Sequence, residues 1–500
     1  MMRQRWPAPT LLLVSVLLVY LATAGGHLYS PDEEVMCRVT ESLVHGRLAI
    51  EPLSGFGTQT GRGGLEYAQY GLGNSIASIP FRALGPLFAA VWPGDELPEI
   101  LSTSSIVNAQ RYRYPTANDY ARRFAVSHMN TVVALLQIWV LFLFALALTG
   151  HQWIGVTVGI LYAFATQAWP HSKTFFSEPL ATLSLTTGAY LVWTGVQRRS
   201  MIRLWFAGAA LGWALLTRLD SVLALPGLAL MFYLLLCRPE PADHDEERRR
   251  LGATHAHMAI AVPLLIAMAV ILGLNMYKFG GPLSTGYADQ PEGFQFNASL
   301  LESLPGFLWS PGRSIFMHSP PVLLGVIGFV ALVRQDRALG LGVLGAFLGT
   351  LLVQAMWQNW SGGWDWGPRH IYSLIAWSMI PLAALLGERS FLSRRVGVAL
   401  CAVVGLLGIL VQLIAISQNP IEFHSIQFTP HMENGMLTAP RAMIQAQMRG
   451  ERMPEGNDLM WHRAYLPWSG YPEMWREGIH DLFWLRWWQW RRAQGSAEDE

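Results

Sequence analysis

Residues 124–149, FAVSHMNTVVALLQIWVLFLFALALT, run for 26 positions without an aspartate, glutamate, lysine or arginine. Roughly 20 apolar residues suffice for a helix to cross the hydrocarbon core of a bilayer. A helix that is apolar on every side belongs in a membrane or a large core, not on the surface of a soluble domain. Similar windows lie at 9–27, 153–170, 176–196, 203–217, 220–237, 258–277, 320–334, 338–356, 370–387 and 394–416. Several are short, so each marks a window rather than a boundary. The composition agrees: 52% of residues are hydrophobic and 14% charged, against about a quarter charged in a soluble domain. The expected fold is an all-α polytopic membrane protein, a bundle of about 11 transmembrane helices.

The same composition excludes several function classes. The net charge is +1 and no basic domain stands out, which argues against a nucleic-acid partner. Cys37, Cys237 and Cys401 are far apart, and two of them sit in apolar runs, so neither a disulfide framework nor a zinc site is indicated. There is no internal repeat and no glycine-rich phosphate loop. Basic residues are nearly all arginine, Lys173 and Lys278 being the only lysines. That bias fits a bacterial protein, whose membrane would be the plasma (inner) membrane.

Topology follows from charge. The first apolar run follows Arg3 and Arg5 and ends in Ala22-Thr23-Ala24-Gly25, which also resembles a signal-peptidase site. An uncleaved anchor is the preferred reading, because it holds the acidic motif that follows at the membrane surface. The segment 71–93 decides the rest. If it does not span, Arg198, Arg199, Arg203, Arg248, Arg249, Arg250, Arg334, Arg337, Arg389, Arg394 and Arg395 all fall in cytoplasmic loops, as the positive-inside rule requires. If it spans, they land outside. Pro80, Arg82 and Pro86 also suit a lipid-facing span poorly, so 71–93 is expected to be a helix lying in or on the outer interface. The chain then divides into a first transmembrane helix (1–27), an external loop with an acidic motif and interfacial helices (28–123), a bundle with external loops (124–416) and an external tryptophan-rich tail (417–500). The N-terminus is cytoplasmic and the C-terminus external. Within the tail, Met474–Arg492 reads as one helix, with Trp475, Ile479, Leu482, Phe483, Trp487 and Trp490 near one face. It is either a lid or membrane-docking helix, or a helix that packs at the interface. Glu240–Arg250 reads as a solvated cytoplasmic loop.

Five polar patches all fall outside under this topology. Tyr29-Ser30-Pro31-Asp32-Glu33-Glu34 puts three acids at a membrane boundary, where they can hold a general base, a metal or a cationic partner. Alternatively, Asp32 caps the next helix while Glu33 and Glu34 favour its N-terminal dipole. His171–Pro179 contains Lys173 and Glu178, which near a bilayer must be paired or wet. Lysine suits an anionic headgroup; the alternative is an ordinary turn with Ser177 as helix cap. Asn275–Tyr287 is a Gly/Pro-structured loop with Lys278 at a span's exit, where it can also merely snorkel. Trp309–His318 holds Arg313 and a histidine. Trp360–His370 holds Asp365 and Arg369. Arg369 offers a planar fork that fits phosphate in two contacts, or it pairs structurally with Asp365.

In order and sidedness, these patches resemble the GT-C class of membrane glycosyltransferases. They are nearest the branch of protein mannosyltransferases and aminoarabinose lipid A transferases. The resemblance covers most of 1–416. It rests on Asp32-Glu33 after the first span, the Tyr67–Gly85 stretch, Arg122-Arg123, Ser177-Glu178-Pro179, Phe279-Gly280 with Thr285-Gly286-Tyr287, and Gly367-Pro368-Arg369. Tyr70-Gly71-Leu72-Gly73 departs from the Lys-Pro-Pro pattern of an aminoarabinose transferase, so that substrate does not carry over.

The resemblance implies a GT-C-like bundle and a polyprenyl-phosphate sugar as donor. It also implies an envelope acceptor, whether lipid, glycan or protein. Asp32 would be the catalytic base, with Glu33 positioning it or the acceptor. Lys173, Lys278 and Arg369 would bind the donor phosphate. Glu178, Tyr287 and Asp365 would bind acceptor or sugar. No cofactor is implied and no metal is assigned, although the acids can hold a divalent ion. The rival class is a transporter or flippase of a lipid-linked or anionic substrate, which would show charged groups at mid-membrane within repeated halves. A non-catalytic membrane scaffold explains the tail but not the coincident patches.

Overall fold

The structure is a computed structural model. It describes residues 7–51, 57–92, 94–102, 114–238, 246–287, 295–363, 365–388, 391, 395–428, 431–433, 436–438, 440–450, 456–466, 468–469, 472, 475–476 and 480–498. Almost all of it is helix. α1 (Pro7–Ala22) leads to α2 (Pro31–Val44), and after a small sheet come α3 (Leu72–Ala83), α4 (Gly85–Val91) and α5 (Glu96–Ser102). The bundle follows: α6 (Ala117–Ser127), α7 (Met129–Thr149), α8 (Gln152–Ala165), the short α9 (Ala168–Ser172), α10 (Glu178–Gln197), α11 (Met201–Thr217), α12 (Leu225–Leu236) and α13 (Glu246–Phe279). Then come α14 (Leu300–Trp309), α15 (Ile315–His318), α16 (Pro321–Gln335), α17 (Arg337–Met356), α18 (Ser373–Gly387) and α19 (Arg395–Ile416). The tail holds α20 (Pro420–Phe428), a two-stranded hairpin, α21 (Arg441–Met448) and α22 (Phe483–Glu498).

Every apolar window of the sequence contains a helix. Among the described residues, five stretches are long and apolar enough to cross a membrane: Ala117–Thr149, Leu219–Leu236, Gly252–Phe279, Arg337–Met356 and Arg395–Ile416. Five shorter apolar helices, Pro7–Ala22, Gln152–Ala165, Met201–Thr217, Pro321–Gln335 and Ser373–Gly387, accompany them. The chain is therefore an integral membrane protein. α10 joins neither set, because threonines and serines dilute its apolar character; its Thr182, Ser184 and Thr186 are buried against other helices.

Within a bilayer the drive to associate comes from close packing and polar contacts rather than from water exclusion, so small residues mark the helix interfaces. A methyl group added at Gly325 or Gly328 of α16 would come within 2.3 Å of the Ser378 or Pro381 carbonyl oxygen of α18. α12 meets α17 in the same way, where Gly227 faces the Gly342–Ala346 backbone. The central helix α18 is buried from Leu374 to Leu386. Lipid would meet outward residues such as Leu265, Ile266, Val330, Val396 and Leu406, all exposed.

Two sequence readings need correction. The segment 71–93 is two helices, α3 and α4, broken at Leu84 where Pro86 opens the second. The expected single helix is therefore a jointed pair. Secondly, the proposed Met474–Arg492 helix is not continuous. Residues 480–482 are non-helical and α22 starts at Phe483, because the Asp481 N–H is drawn onto the Ser417 carbonyl at 2.9 Å. Ile479 lies outside the described residues, as do 239–245 of the expected cytoplasmic loop. From Glu246 that loop is already helix α13, since arginine and glutamate are good helix formers.

Candidate functional site

The acidic motif sits in the first turn of α2. Ser30, not Asp32, is its cap: the Ser30 hydroxyl accepts from Glu33 N at 3.3 Å, and Pro31 opens the helix. The three carboxylates all favour the positive end of the helix dipole, yet each faces a different place. Asp32 points outward and is partly exposed. Its Oδ1 accepts from the Tyr70 hydroxyl at 2.7 Å and its Oδ2 from Arg369 Nη1 at 3.0 Å. Glu33 is 0% exposed and accepts from Tyr29 N at 2.7 Å; burial pushes its pKa well above the usual carboxylate range. Glu34 is also wholly buried. Arg123 grips it with two bonds of 2.7 and 3.0 Å, Arg38 adds one of 2.9 Å, and the Tyr114 hydroxyl one of 3.0 Å. Burial alone would raise the Glu34 pKa, but the two arginines win and lower it. Glu34 therefore fastens α2 to α6.

Tyr70 reaches Asp32 because of the small antiparallel sheet formed by Ala49–Ile50, Thr58–Thr60 and Glu66–Ala68, the last strand central. Lys278 Nζ, 5% exposed, donates to the Ala68 carbonyl at 3.0 Å and ties the end of α13 to that central strand. Gly71 and Gly73 then let the chain press onto the end of α11. A Cβ on Gly71 would sit 2.4 Å from Leu216 O, and one on Gly73 2.2 Å from Thr217 Oγ1. Arg218 is the next residue after that helix end. The Tyr70-Gly71-Leu72-Gly73 stretch, which in the sequence only marked a departure from a family pattern, thus packs on the end of α11 and bonds Asp32 through Tyr70.

Arg218 carries the second ion cluster. It donates to Glu178 Oε1 at 2.7 Å, to Ser177 Oγ at 3.3 Å, and through two nitrogens to Asp220 at 2.7–3.3 Å. Gln354 holds Asp220 Oδ2 at 2.9 Å. Ser177 does precede α10 as expected, but its hydroxyl makes no cap bond and serves Arg218 instead. The Tyr287 hydroxyl is pushed up by burial and by the charges of Asp32 and Asp220, against the pull of Arg218 and Arg369. These four partners place Tyr287 at the junction of the two clusters.

Arg369 is positioned by a loop built around Arg313. That arginine, 1% exposed, donates to the carbonyls of Ser361, Gly363, Gly312 and Asp365. The turn passes through Gly367 at φ +69°, where a Cβ would lie 2.5 Å from Gln167 Nε2. The Arg369 guanidinium lies over the Phe176 ring at 5.0 Å. Burial would lower its pKa, but Asp32, Glu178 and Asp365 raise it. Asp365 itself lies 3.1 Å from His171 Nε2. Burial works against its ionisation, yet His171 and Arg369 hold its pKa down.

The structure thus gathers Asp32, Glu178, Tyr287 and Arg369 around one centre, with Asp365 and Glu33 buried behind it, while Lys278 at the end of α13 is bonded to the strand that precedes Tyr70. It does not bring Lys173 there. Lys173, 4% exposed, donates to Ile416 O at 2.7 Å and Asp481 O at 3.0 Å, and pairs with Asp481 Oδ2 at 2.8 Å. Asp481 also meets His27 Nε2 at 2.7 Å, Arg486 at 2.9 Å and the Tyr29 hydroxyl. Burial opposes its charge, but Lys173 and His27 keep its pKa well below the usual range. Lys173 is therefore an anchor for the tail. Arg218, Asp220, Gln354 and Tyr70 were missed in the sequence. Arg218 and Asp220, a charged pair between two apolar windows, were the available signal. Among the described residues no group of three or more His, Cys, Asp or Glu is arranged to hold a metal ion.

No protein-family model matches the chain, and no curated protein matches it. Solved structures do. One is ArnT from Cupriavidus metallidurans bound to undecaprenyl phosphate, with 15% identity over 81% of this chain and 64% of that one and a TM-score of 0.49. Another is the Archaeoglobus fulgidus oligosaccharyltransferase in the apo form, with 13% identity over 92% of this chain and 60% of that one and a TM-score of 0.47. The complex of that oligosaccharyltransferase with Zn and sulfate is similar at 14% identity, 90% and 57% coverage and a TM-score of 0.46. The chain spans less than two thirds of the length of these structures, at 57–64%.

Proposed function

We propose that the protein is an integral membrane glycosyltransferase of GT-C type. It moves a sugar from a polyprenyl-phosphate donor to a hydroxyl of an envelope acceptor on the non-cytoplasmic face. The observation that carries this is the Asp32–Arg369 pair beside the Arg218–Glu178–Asp220 cluster, at the mouth of a bundle whose helices suit a bilayer. The chain crosses that bilayer about 11 times, with its N-terminus cytoplasmic and its C-terminus external.

In the proposed step the acceptor O–H gives its proton to Asp32, a new bond forms between that oxygen and the anomeric carbon, and the bond from that carbon to the phosphate oxygen breaks. The polyprenyl phosphate leaves carrying the negative charge, and the anomeric configuration inverts. Fixed cations where charge develops lower the barrier. Arg369 is the principal one, with Lys278 at the end of α13 as the second. Arg369 donates to Asp32 at 3.0 Å. A donor phosphate competes for the same guanidinium and releases the carboxylate to act as base, so donor binding and base activation are coupled. Glu33, buried beneath, sets the start of α2; Glu178, Tyr287 and Asp365 line the sugar and acceptor side. Each acid at the centre already faces an arginine or histidine, which favours a metal-independent reaction.

The test is incubation of the purified protein in nanodiscs with radiolabelled polyprenyl-phosphate sugars and an envelope acceptor fraction, beside Asp32→Asn. Asp32-dependent movement of label from the lipid supports the reading. Binding of the lipid without transfer or hydrolysis for any donor would favour a flippase or transporter.

A further inference from the structure

The tail helix α22 leaves one face uncovered. Its start is fixed to the exit of α1: Phe483 N donates to Ala24 O at 3.0 Å, Trp484 Nε1 to Leu21 O at 3.0 Å, and the Arg486 guanidinium to the Gly25 carbonyl. Phe483 and Arg486 are buried, and Trp490, on the same flank, donates to Glu99 Oε2 at 2.9 Å. Trp484, Trp488 and Arg491 stand four and three positions apart, which puts them together on the other side of the helix. All three are exposed, the two indoles by 45% and 49%. Large apolar side chains left bare together mark a surface that a partner or a membrane covers.

The neighbouring surface identifies the cover. Leu11, Val14, Leu18 and Leu21 of α1 are exposed and spaced by three, four and three positions, so they form one stripe along that helix. In a chain that crosses a bilayer, acyl chains cover such a stripe. Trp484, hung on the Leu21 carbonyl, carries it past the end of α1, and Trp488 and Arg491 follow on the next two turns of α22. The order is an apolar stripe, two indoles and a cation. Tryptophan favours the headgroup level, where its ring is half in hydrocarbon and its N–H is wet. Arginine at that level meets lipid phosphate, its best-matched anion. The Arg491 guanidinium lies over the Trp487 ring at 5.7 Å, and among the described residues no carboxylate pairs with it. Arg492 is exposed beside it and stacked on Trp488 at 4.5 Å. The charge on this face thus complements an anionic lipid.

We infer that Trp484, Trp488 and Arg491 form a docking surface for anionic phospholipid headgroups, in the leaflet at which α1 ends. The tail is then held from two sides, by the Lys173–Asp481 pair within the protein and by lipid on the uncovered face of α22. This makes α22 a membrane-docking element rather than a lid, and it holds whatever reaction the chain performs.

The experiment is amide hydrogen exchange on the full chain, one copy per nanodisc, in phosphatidylcholine alone or mixed with phosphatidylglycerol. The readout is the peptide spanning 483–495. In the wild type, phosphatidylglycerol is expected to slow exchange there about fivefold, the effect of one arginine at an anionic surface. Arg491→Gln is expected to lose most of that slowing while exchanging in pure phosphatidylcholine as the wild type does, which also shows that it is folded. Trp488→Ser is expected to exchange faster than the wild type in both lipids. Equal exchange of the wild type in the two lipids, slowing that survives undiminished in Arg491→Gln, or wild-type exchange in Trp488→Ser overturns the surface. Slowing produced by inorganic phosphate in pure phosphatidylcholine also overturns it, because Arg491 would then be a site for a soluble anion. So does protection that appears only in discs holding two copies, which would make this face a contact between chains.

Discussion

Arg369 Nη1 and Asp32 Oδ2 lie 3.0 Å apart across 337 positions of the chain, joining α2 to the loop that leads into α18. The same guanidinium is stacked on Phe176, so a rigid cation and a partly exposed carboxylate share one face. Asp32→Asn keeps shape and hydrogen bonds but cannot take a proton. Transfer is expected to fall by about 10²–10⁴-fold, the usual contribution of a positioned base, with expression and thermal unfolding close to wild type. Arg369→Lys keeps charge but not the planar fork and is expected to retain a fraction of the activity lost in Arg369→Ala. Initial rates of label transfer with matched protein amounts check both.

Glu34 and Arg123 form a buried pair whose role is mechanical. Removing one partner of such a pair leaves a charge uncompensated and costs about 3–5 kcal/mol. Glu34→Gln is therefore expected to lower stability substantially, seen as an earlier transition in denaturant titration of micellar protein. A Glu34→Gln, Arg123→Met double variant, in which no lone charge remains, is expected to recover part of the loss. If the single variant is as stable as wild type, the latch between α2 and α6 carries no weight.

The helices were legible in the sequence because apolar runs of spanning length have few alternatives. The five polar patches were legible because ionisable groups are rare in such a chain. What failed was pairing. Lys173 and Arg218 both stand at bundle ends near acids, and nothing local to either says which one finds a carboxylate in the tail. Asp481 lies 308 positions from Lys173, and the connection exists only once α22 is laid over the exit of α1, with Phe483 N bonded to Ala24 O at 3.0 Å. Glycine gave a usable local signal. Gly71 and Gly73 leave no room for a side chain against α11, and the chain that they press onto that helix end bonds Asp32 through Tyr70. The three adjacent acids likewise could not be told apart by type, since helical rotation alone sends Asp32 outward and Glu33 and Glu34 into the interior.

Glu33 makes a pH prediction. Burial raises its folded-state pKa well above that of the unfolded chain. A raised carboxyl contributes stability fully below the unfolded value, about 4.3, and loses it as pH rises through the folded value, because unfolding then releases a proton. Glu33→Gln is neutral at every pH and can still accept from Tyr29 N. Its melting temperature relative to wild type is expected to increase steadily from acid to alkaline pH. Parallel melting curves for the two proteins across that range would show that Glu33 does not hold its proton in the folded state.

Lys173 offers the sharpest separation between the sequence expectation and the structure. As a phosphate ligand, it would alter the apparent affinity for the donor when replaced. As the counter-ion of Asp481, it would instead loosen the tail. Lys173→Met leaves Asp481 with His27 and Arg486, so the expected effect is partial: earlier cleavage by a protease between 417 and 480, a lower melting temperature, and a donor KM within about twofold of wild type. Asp481→Asn should do more to the tail, because three basic groups lose their shared carboxylate at once. Breaking one side of a buried ionic cluster is the more damaging change. The double variant Lys173→Met, Asp481→Asn tests the coupling directly. Two residues in one network give a combined loss smaller than the sum of the single losses, whereas independent roles give simple addition. A large rise in donor KM for Lys173→Met with unchanged protease resistance would return Lys173 to the phosphate site and remove it from the tail anchor.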